Sequence, residues 1–226
     1  MVAAVASRYE AVRRQVADAA DIAGRDPADI TIVGVTKTVG VEEVRAALLA
    51  GISDFGENRV QEFLGKYGLF PDAHWHFIGT LQTNKVKDVV GRATLIHSVD
   101  SLRLLAEISH RAEQADVVQP VLLQVNVAEE KSKHGFECCD VREALIEASH
   151  MPRVTVRGLM TMAPFGPAEE ARWVFRELRE LRDSLREMPL NSVELTELSM
   201  GMSNDFRVAV EEGSTIVRVG RAIFGR

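Results

Sequence analysis

The feature that most constrains the fold is a regular alternation of short β-branched runs with longer segments of helical period. The runs predict eight strands, at Thr31–Thr36, Ile52–Phe55, His74–Ile78, Leu95–Val99, Val121–Val127, Val154–Met160, Val193–Leu198 and Thr215–Val219. Apolar residues at helical spacing predict helices at Val2–Ala23, Val41–Ala50, Arg59–Lys66, Gln82–Val90, Ser101–Gln114, Asp140–Ser149, Ala168–Arg186 and Asp205–Glu212, with a short tail segment from Ala222 to Phe224. Strands that alternate with helices in this way indicate a parallel sheet.

Eight strand and helix units joined by short loops predict an α/β fold, a single (β/α)8 TIM barrel with an additional N-terminal helix. A doubly wound open sheet is the alternative. The 226 residues suit one barrel. No Gly-rich linker or change of composition divides the chain, so we expect a single domain over residues 1–226.

Charge and cysteine content exclude several classes of protein. The net charge is −6, from 27 basic and 33 acidic residues, so we expect no general affinity for nucleic acid or for an anionic membrane. The neighbours Cys138 and Cys139 cannot form a disulfide framework. Residues 1–20 carry several charges, unlike a signal peptide, and no apolar run approaches the ~20 residues of a membrane span. We therefore expect a cytoplasmic protein that recognises a small ligand.

A lysine stands at the end of the first predicted strand, where barrels of this type hold their functional residues. Lys37 follows the apolar run Ile32–Val35, which would place its amine at the rim of the barrel interior. Desolvation lowers the pKa of a lysine, and a neutral amine is what Schiff-base formation requires. The alternative is a lysine that extends into solvent or pairs with a carboxylate.

Small polar residues follow the seventh and eighth strands. Gly201 and Ser203 precede a predicted helix, and Gly220 follows the last strand. In barrels, backbone N–H groups at these two positions often bind phosphate. Ordinary helix capping is the alternative explanation.

An arginine lies within the otherwise apolar eighth strand. Buried arginine needs a partner, and for Arg218 a ligand ring nitrogen or a carboxylate of a neighbouring strand, Glu194 or Glu197, would serve.

Two other clusters have weaker support. His74 and His76 share a strand face, but no third ligand accompanies them, so we expect no metal site. The basic segment Lys131–His134 is either a solvated loop or a contact for a phosphate or a partner protein.

Ordered motifs over nearly the whole chain resemble those of the pyridoxal phosphate homeostasis proteins, which are small single-domain barrels related in fold to the N-terminal domain of bacterial alanine racemase. These motifs are Val35-Thr36-Lys37, Phe55-Gly56-Glu57-Asn58, His76-Phe77-Ile78-Gly79, Leu81-Gln82-Thr83-Asn84-Lys85, His97-Ser98-Val99-Asp100, Gln124-Val125-Asn126-Val127, Lys131-Ser132-Lys133-His134-Gly135-Phe136, Arg157-Gly158-Leu159-Met160, Leu198-Ser199-Met200-Gly201-Met202-Ser203 and Gly220-Arg221-Ala222-Ile223-Phe224-Gly225.

The resemblance implies a pyridoxal 5′-phosphate site built from Lys37, Asn58, His76, Ser203, Arg218, Gly220 and Arg221. Lys37 would form the internal aldimine with the cofactor. Ser203, with backbone groups around Gly220 and Arg221, would hold the phosphate. Arg218 would face the pyridine nitrogen, and the other two residues would lie around the ring.

One residue departs from the family pattern. Arg221 stands where relatives generally carry Thr or Ser. Its backbone N–H survives the change, and its guanidinium either contacts the phosphate or points into solvent.

The resemblance also implies a carrier without a catalytic residue. Arg218 cannot accept a proton at neutral pH, so the ring would be a weak electron sink. Alanine racemase adds a tyrosine base from a C-terminal domain of a partner subunit, and we expect no such domain here. We expect a monomer that carries or buffers the cofactor and has pyridoxal phosphate-dependent apoenzymes as possible recipients. A weak enzyme such as an amino-acid racemase, and an aldolase that uses Lys37 on a sugar phosphate, are the alternatives.

Overall fold

The computed structural model describes residues 2–130 and 134–225, which form a closed barrel of eight parallel strands. The strands pair in chain order, and β1 pairs with β8 to complete the ring. They are β1 (Thr31–Val35), β2 (Asp54–Glu57), β3 (His74–Phe77), β4 (Leu95–Val99), β5 (Gln119–Gln124), β6 (Val154–Met160), β7 (Val193–Met202) and β8 (Ile216–Val219). The predicted α/β barrel is confirmed, and the open sheet is wrong.

The described residues contain nine α-helices, which surround the barrel. They are α1 (Val2–Ile22), α2 (Val41–Leu49), α3 (Val60–Leu69), α4 (Val86–Val89), α5 (Leu102–Gln114), α6 (Val141–Ser149), α7 (Arg172–Leu185), α8 (Phe206–Glu211) and α9 (Arg221–Phe224). The additional helix α1 packs against α2, α8 and α9. Its buried residues Val5, Val12 and Val16 recur at helical spacing on one face, as an amphipathic surface helix requires.

Three strands differ from their predicted bounds by two residues or more: β2, β7 and β5, which spans Gln119–Gln124 where Val121–Val127 was predicted. β2 is displaced toward Glu57, a residue of low strand propensity that is buried here because Lys66 pairs with it. β7 continues past Leu198 to Met202, although Gly201 has a φ of +92°. A glycine and polar neighbours are typical of a loop, which is why this extension was not predicted.

The buried residues form two layers. Between strands and helices lies the main hydrophobic core, where Phe63 packs edge-on against Phe77 and Trp75. The barrel interior holds a small apolar cluster of its own: Val33, Leu95, Leu122, Met160 and Ile216. Side chains of several strands therefore fill the barrel, as in other barrels of this class, and a ligand must bind at one end of it.

The length and polarity of a helix decide whether it can span a membrane. Within residues 2–130 and 134–225, each helix is too short or too polar to cross a bilayer. The assignment of residues 1–226 to one domain stays a prediction.

We predict that Gly158→Ala destabilises the barrel, because a Cβ at Gly158 would lie 1.9 Å from the backbone oxygen of Glu197 on the neighbouring strand. Forcing β6 and β7 apart should lower the free energy of unfolding by about 1–3 kcal/mol. Denaturant unfolding measures this difference. The control is Gly65→Ala in α3, where a Cβ meets nothing within 4 Å and should stabilise the helix by about 0.5–1 kcal/mol. Equal stability of the two variants would contradict the prediction.

Candidate functional site

A cavity of about 350 Å³ opens at the carboxyl ends of the strands. It is lined by Val35, Lys37, Asn58, Ile78, Met162, Ala163, Pro164, Phe165, Gly166, Met202, Ser203, Asn204, Asp205, Arg218, Gly220 and Arg221. All the predicted site residues except His76 are among them. Because parallel strands end together on one face of a barrel, residues from β1, β2, β7 and β8 meet here despite their distance in sequence.

Lys37 lies just beyond the end of β1, on a backbone that is held from both sides. Lys66 Nζ donates a hydrogen bond to the carbonyl oxygen of Thr36 at 2.7 Å. The amide of Thr38 donates to Glu62 Oε2 at 3.2 Å. Lys37 itself is exposed, so the burial that we expected for it is absent from this structure. β1 ends at Val35, so Lys37 lies two residues beyond the strand.

The buried pair of Lys66 and Glu57 was not predicted as part of the site. Lys66 is 7% exposed and forms an ion pair with the fully buried Glu57. Glu57 Oε1 also accepts a hydrogen bond from Thr36 Oγ1 at 2.6 Å. One signal was present in the sequence: Glu62 and Lys66 are four residues apart on the predicted helix Arg59–Lys66, and their side chains do approach to 3.7 Å. This pair fixes the segment that carries Lys37.

Polar groups from the last two strands lie together in the same cavity as Lys37. The amide of Gly220 donates to Ser203 Oγ at 3.2 Å, which joins the loop after β7 to the end of β8. Arg221 is exposed, and its Nη2 donates to Asn204 Oδ1 at 3.1 Å. A hydrogen bond therefore holds its guanidinium at the mouth of the cavity. This position lies between the two alternatives that the sequence left open, a contact with the phosphate and a side chain that points into solvent. Hydroxyl, amide and guanidinium donors of this kind suit an anion.

Arg218 is buried, and its guanidinium bonds only neutral groups among the described residues. Nη1 donates to Ser199 Oγ at 2.5 Å, and Nη2 donates to the carbonyl oxygen of Thr161 at 2.9 Å. The expected carboxylate partners, Glu194 and Glu197, pair with Arg157 instead. That alternative is wrong, because both glutamates lie on the half-exposed outer side of β7.

Burial also affects the charge of this arginine. It lowers the pKa of Arg218 to about 10, while the carboxylate of Asp205 opposes the shift. Arg218 therefore keeps its proton at neutral pH. Arg218 is thus a cation of the cavity lining that no carboxylate of the described residues bonds directly.

Asn58 supplies an unused acceptor. Its side-chain oxygen is buried and has no hydrogen-bond partner among the described residues. The backbone of Asn58 also packs closely on Gly79, where a Cβ would lie 2.2 Å from the Asn58 carbonyl oxygen. A buried oxygen without a donor is costly, so a ligand with a hydroxyl or amine group at this point would satisfy it.

The structure does not bring His76 to the cavity. Its ring is buried deeper in the barrel, where Nε2 lies 3.1 Å from Asp54 Oδ1 and Nδ1 lies 2.9 Å from His97 Nε2. His74 Nδ1 also contacts Asp54, at 3.3 Å. Among the described residues, the one group with the spacing of metal ligands is elsewhere and exposed: Glu137, Cys139 and Asp140.

The basic segment proposed as a phosphate or partner contact falls largely outside the described residues. Residues 131–133 are not described. Its last member, His134, is exposed, and its Nδ1 lies 3.4 Å from Asp100 Oδ2.

Known proteins share both the sequence and the fold. The family described as alanine racemase, N-terminal domain, matches residues 8–226. A protein of Aquifex aeolicus named pyridoxal phosphate homeostasis protein is 46% identical over 221 residues, which cover 96% of each chain. PipY of Synechococcus elongatus, solved with pyridoxal phosphate (PLP) bound, is 34% identical with a TM-score of 0.85, and the match covers 98% of this chain and 100% of PipY.

Alanine racemase shares the fold at lower identity. The enzyme of Corynebacterium glutamicum is 16% identical with a TM-score of 0.73, and the match covers all of this chain but 61% of the enzyme. This likeness concerns the barrel alone. The chain belongs to the alanine racemase N-terminal domain family and, within it, to the group of relatives named pyridoxal phosphate homeostasis proteins.

Proposed function

We propose that this protein binds pyridoxal 5′-phosphate covalently through Lys37, and that it carries or buffers the cofactor in intracellular homeostasis without substantial turnover. The observation that carries the proposal is one cavity that joins the amine of Lys37 to the donors at Ser203 and Gly220 and to buried Arg218. The relatives support it, because their name states a role in homeostasis and PipY was solved with the cofactor bound.

The residues present fit the cofactor group by group. When bound, pyridoxal phosphate supplies an aldehyde for an amine and a ring that withdraws electrons. Ser203 and the amides near Gly220 and Arg221 would hold the phosphate. Arg218 would donate to the ring nitrogen, and the buried Asn58 oxygen, which lacks a protein donor, would accept from a ring substituent. His76 is not among the residues that line the cavity, and its ring contacts His97 and Asp54, so we expect its effect on the cofactor ring to be indirect.

The same cavity argues against efficient bond cleavage at an amino acid. Arg218 remains protonated and cannot pass its proton readily to a ring nitrogen, which weakens the ring as an electron sink. None of the described residues that line the cavity is a tyrosine. Tyr67 lies on α3 and stacks on Phe63 at 6.0 Å, and Tyr9 lies on α1. A weak pyridoxal phosphate enzyme, such as a racemase, is the competing function.

The proposal also covers the location, the oligomeric state and the partners of the protein. We place the protein in the cytoplasm as a monomer, with pyridoxal phosphate-dependent apoenzymes as recipients and no nucleic acid or membrane partner. The acidic balance of the chain, 33 acidic against 27 basic residues, supports the absence of nucleic-acid binding.

Lys37→Ala is expected to abolish the visible absorption band that the protein gains with the cofactor, since no other lysine among the described residues lines the cavity. In the wild type, borohydride reduction followed by peptide mass spectrometry should find the modified lysine at position 37. Lys87→Ala, an exposed change on α4, is the control and should keep the band. Modification at Lys66, Lys85 or Lys87 in the wild type would move the site elsewhere.

Removing the hydroxyl of Ser203 should weaken cofactor binding. Ser203→Ala loses one hydrogen bond to a charged phosphate, about 1.5–3 kcal/mol, which corresponds to roughly ten- to a hundredfold in affinity. Titration followed by absorbance measures the dissociation constant. Ser149→Ala is the control, because that hydroxyl bonds only the carbonyl of Ile146 in its own helix. Equal affinities for the two variants would place the phosphate away from Ser203.

The loaded protein should not turn over amino acids. Incubation with L-alanine in deuterated water, followed by NMR, should show no sustained exchange of the α-proton, because the cavity offers a weak electron sink and no tyrosine base. Exchange or racemisation at about 1 s⁻¹ or faster lies in the ordinary enzyme range. Such a rate would favour the enzyme over the carrier, while leaving the assignment of Lys37 intact.

A further inference from the structure

A continuous chain of hydrogen bonds crosses the barrel interior from the amino end of β2 to the cofactor cavity. It links Asp54, His76, His97, Ser199 and Arg218. Asp54 Oδ1 lies 3.1 Å from His76 Nε2, and His76 Nδ1 lies 2.9 Å from His97 Nε2. His97 Nδ1 lies 2.8 Å from Ser199 Oγ, which accepts from Arg218 Nη1 at 2.5 Å. Four strands contribute to it: β2, β3, β4 and β7, with β8 at its end.

These polar groups lie in the barrel interior, where burying apolar side chains would cost less free energy. His97 and Ser199 are fully buried, and His76 is 4% exposed. The apolar cluster of Val33 and Ile216 with three further residues fills the rest of the interior. Polar groups buried without partners cost free energy, so each hydrogen in the chain needs an acceptor. Every hydrogen finds an acceptor only if all the hydrogen bonds of the chain point the same way, from Arg218 towards Asp54.

The direction follows from the two ends. Arg218 can only donate, so Ser199 Oγ accepts from it, and the serine hydrogen must go to His97 Nδ1. His97 Nε2 then carries the ring hydrogen and donates to His76 Nδ1. His76 Nε2 in turn donates to the carboxylate of Asp54. Both imidazoles are neutral in this arrangement, and both carry their hydrogen on Nε2.

The surroundings agree with that assignment. Burial holds the pKa of His97 well below its usual value, and the positive charge of Arg218 acts in the same direction. Burial opposes ionisation of Asp54, but hydrogen bonds from His76 and Ser53 outweigh it and lower the pKa of that carboxyl. A charged His76 would force the hydrogen of His97 onto Nδ1. Ser199 Oγ would then face two donors, and its own hydrogen would lose its acceptor.

We propose that Ser199 and His97 are positioning residues, which aim the guanidinium of Arg218 at the ring nitrogen, and that Asp54 and His76 hold His97 in the tautomer this requires. The inference rests on the proposed cofactor function for its ring contact. Two bonds fix the two terminal nitrogens of Arg218, one to Ser199 and one to the Thr161 carbonyl. A guanidinium has five N–H groups, so donors remain for a ligand.

The first test uses the protein without cofactor. In wild-type protein labelled with 15N at histidine, NMR at pH 7 should show His76 and His97 as neutral rings protonated at Nε2. In protein labelled with 15N at arginine, the guanidinium hydrogens of Arg218 should exchange slowly with water. A charged ring at either position, or a hydrogen on His97 Nδ1, would overturn the proposed direction of the chain. This measurement needs no variant and no bound ligand.

Variants then test the positioning role. Ser199→Ala removes the acceptor for Arg218, so the arginine hydrogens should exchange faster. His97→Asn keeps an acceptor near the position of Nδ1 and should retain much of the wild-type behaviour, whereas His97→Gln moves the amide toward Nε2 and should behave like Ser199→Ala. Ser109→Ala is the matched control, because this serine is also buried, at 4% exposed, and donates to a backbone oxygen, that of Pro152, at 2.6 Å.

With the cofactor added, Ser199→Ala and His97→Gln should bind about tenfold more weakly, the effect of one lost hydrogen bond. Their visible absorption maximum should also shift, because the ring nitrogen loses its aligned donor. A merely structural role would lower stability without moving that maximum, as we expect for Ser109→Ala. Wild-type exchange, affinity and spectrum in Ser199→Ala would overturn the proposal. Failure of the wild type to bind the cofactor would refute the proposed function instead. The NMR results on the protein without cofactor would still decide the direction of the hydrogen bonds.

Discussion

The structure depends above all on the backbone pairing of β1 with β8, which closes the barrel. The pairs run from Thr31 with Ile216 to Gly34 with Val219, so the first and last strands end side by side. This places Lys37 next to Gly220, although the two are at opposite ends of the chain. Gly220 permits the approach, because a Cβ there would lie 3.2 Å from the Val35 carbonyl oxygen. An open sheet with the same strands would leave the amine and the phosphate donors apart.

Closure of the barrel also decides which groups the guanidinium of Arg218 can bond. A buried cation is stable only with partners, and a carboxylate would be the usual choice. Here the guanidinium bonds a serine hydroxyl and a backbone carbonyl, and the carboxylate of Asp54 lies at the far end of a chain of neutral groups. The guanidinium is therefore oriented by neutral groups, while the carboxylate of Asp205 acts on it through its charge and not through a direct hydrogen bond among the described residues. N–H groups of Arg218 that a bidentate carboxylate would have occupied stay available to a ligand in the cavity.

The sequence was sufficient for the barrel and for bringing six of the seven predicted site residues to one cavity, since strand and helix periods mark each unit and strand ends converge in this fold. The sequence did not show how far each side chain lies below the carboxyl ends of the strands. Alternation on β3 shows that His76 faces inward, but its height depends on the register with β2, which pairs it with Gly56 and thus below Asn58. Contacts between distant strands were also missed: 102 positions separate His97 from Ser199, and no local pattern relates them. Lys66 was missed because its partner Glu57 was assigned to a loop.

The openness of the site bears on the difference between a carrier and a catalyst. Lys37 is exposed, and Phe165 in the loop after β6 is 92% exposed at the edge of the same cavity. A catalyst usually excludes water from the reacting atoms, which needs a cover over the amine. A carrier has the opposite requirement, because a covalently held ligand leaves only when water or another amine reaches the bond. The rigid support beneath Lys37, from Lys66 and Glu57, together with an accessible amine above it, meets the second requirement and not the first.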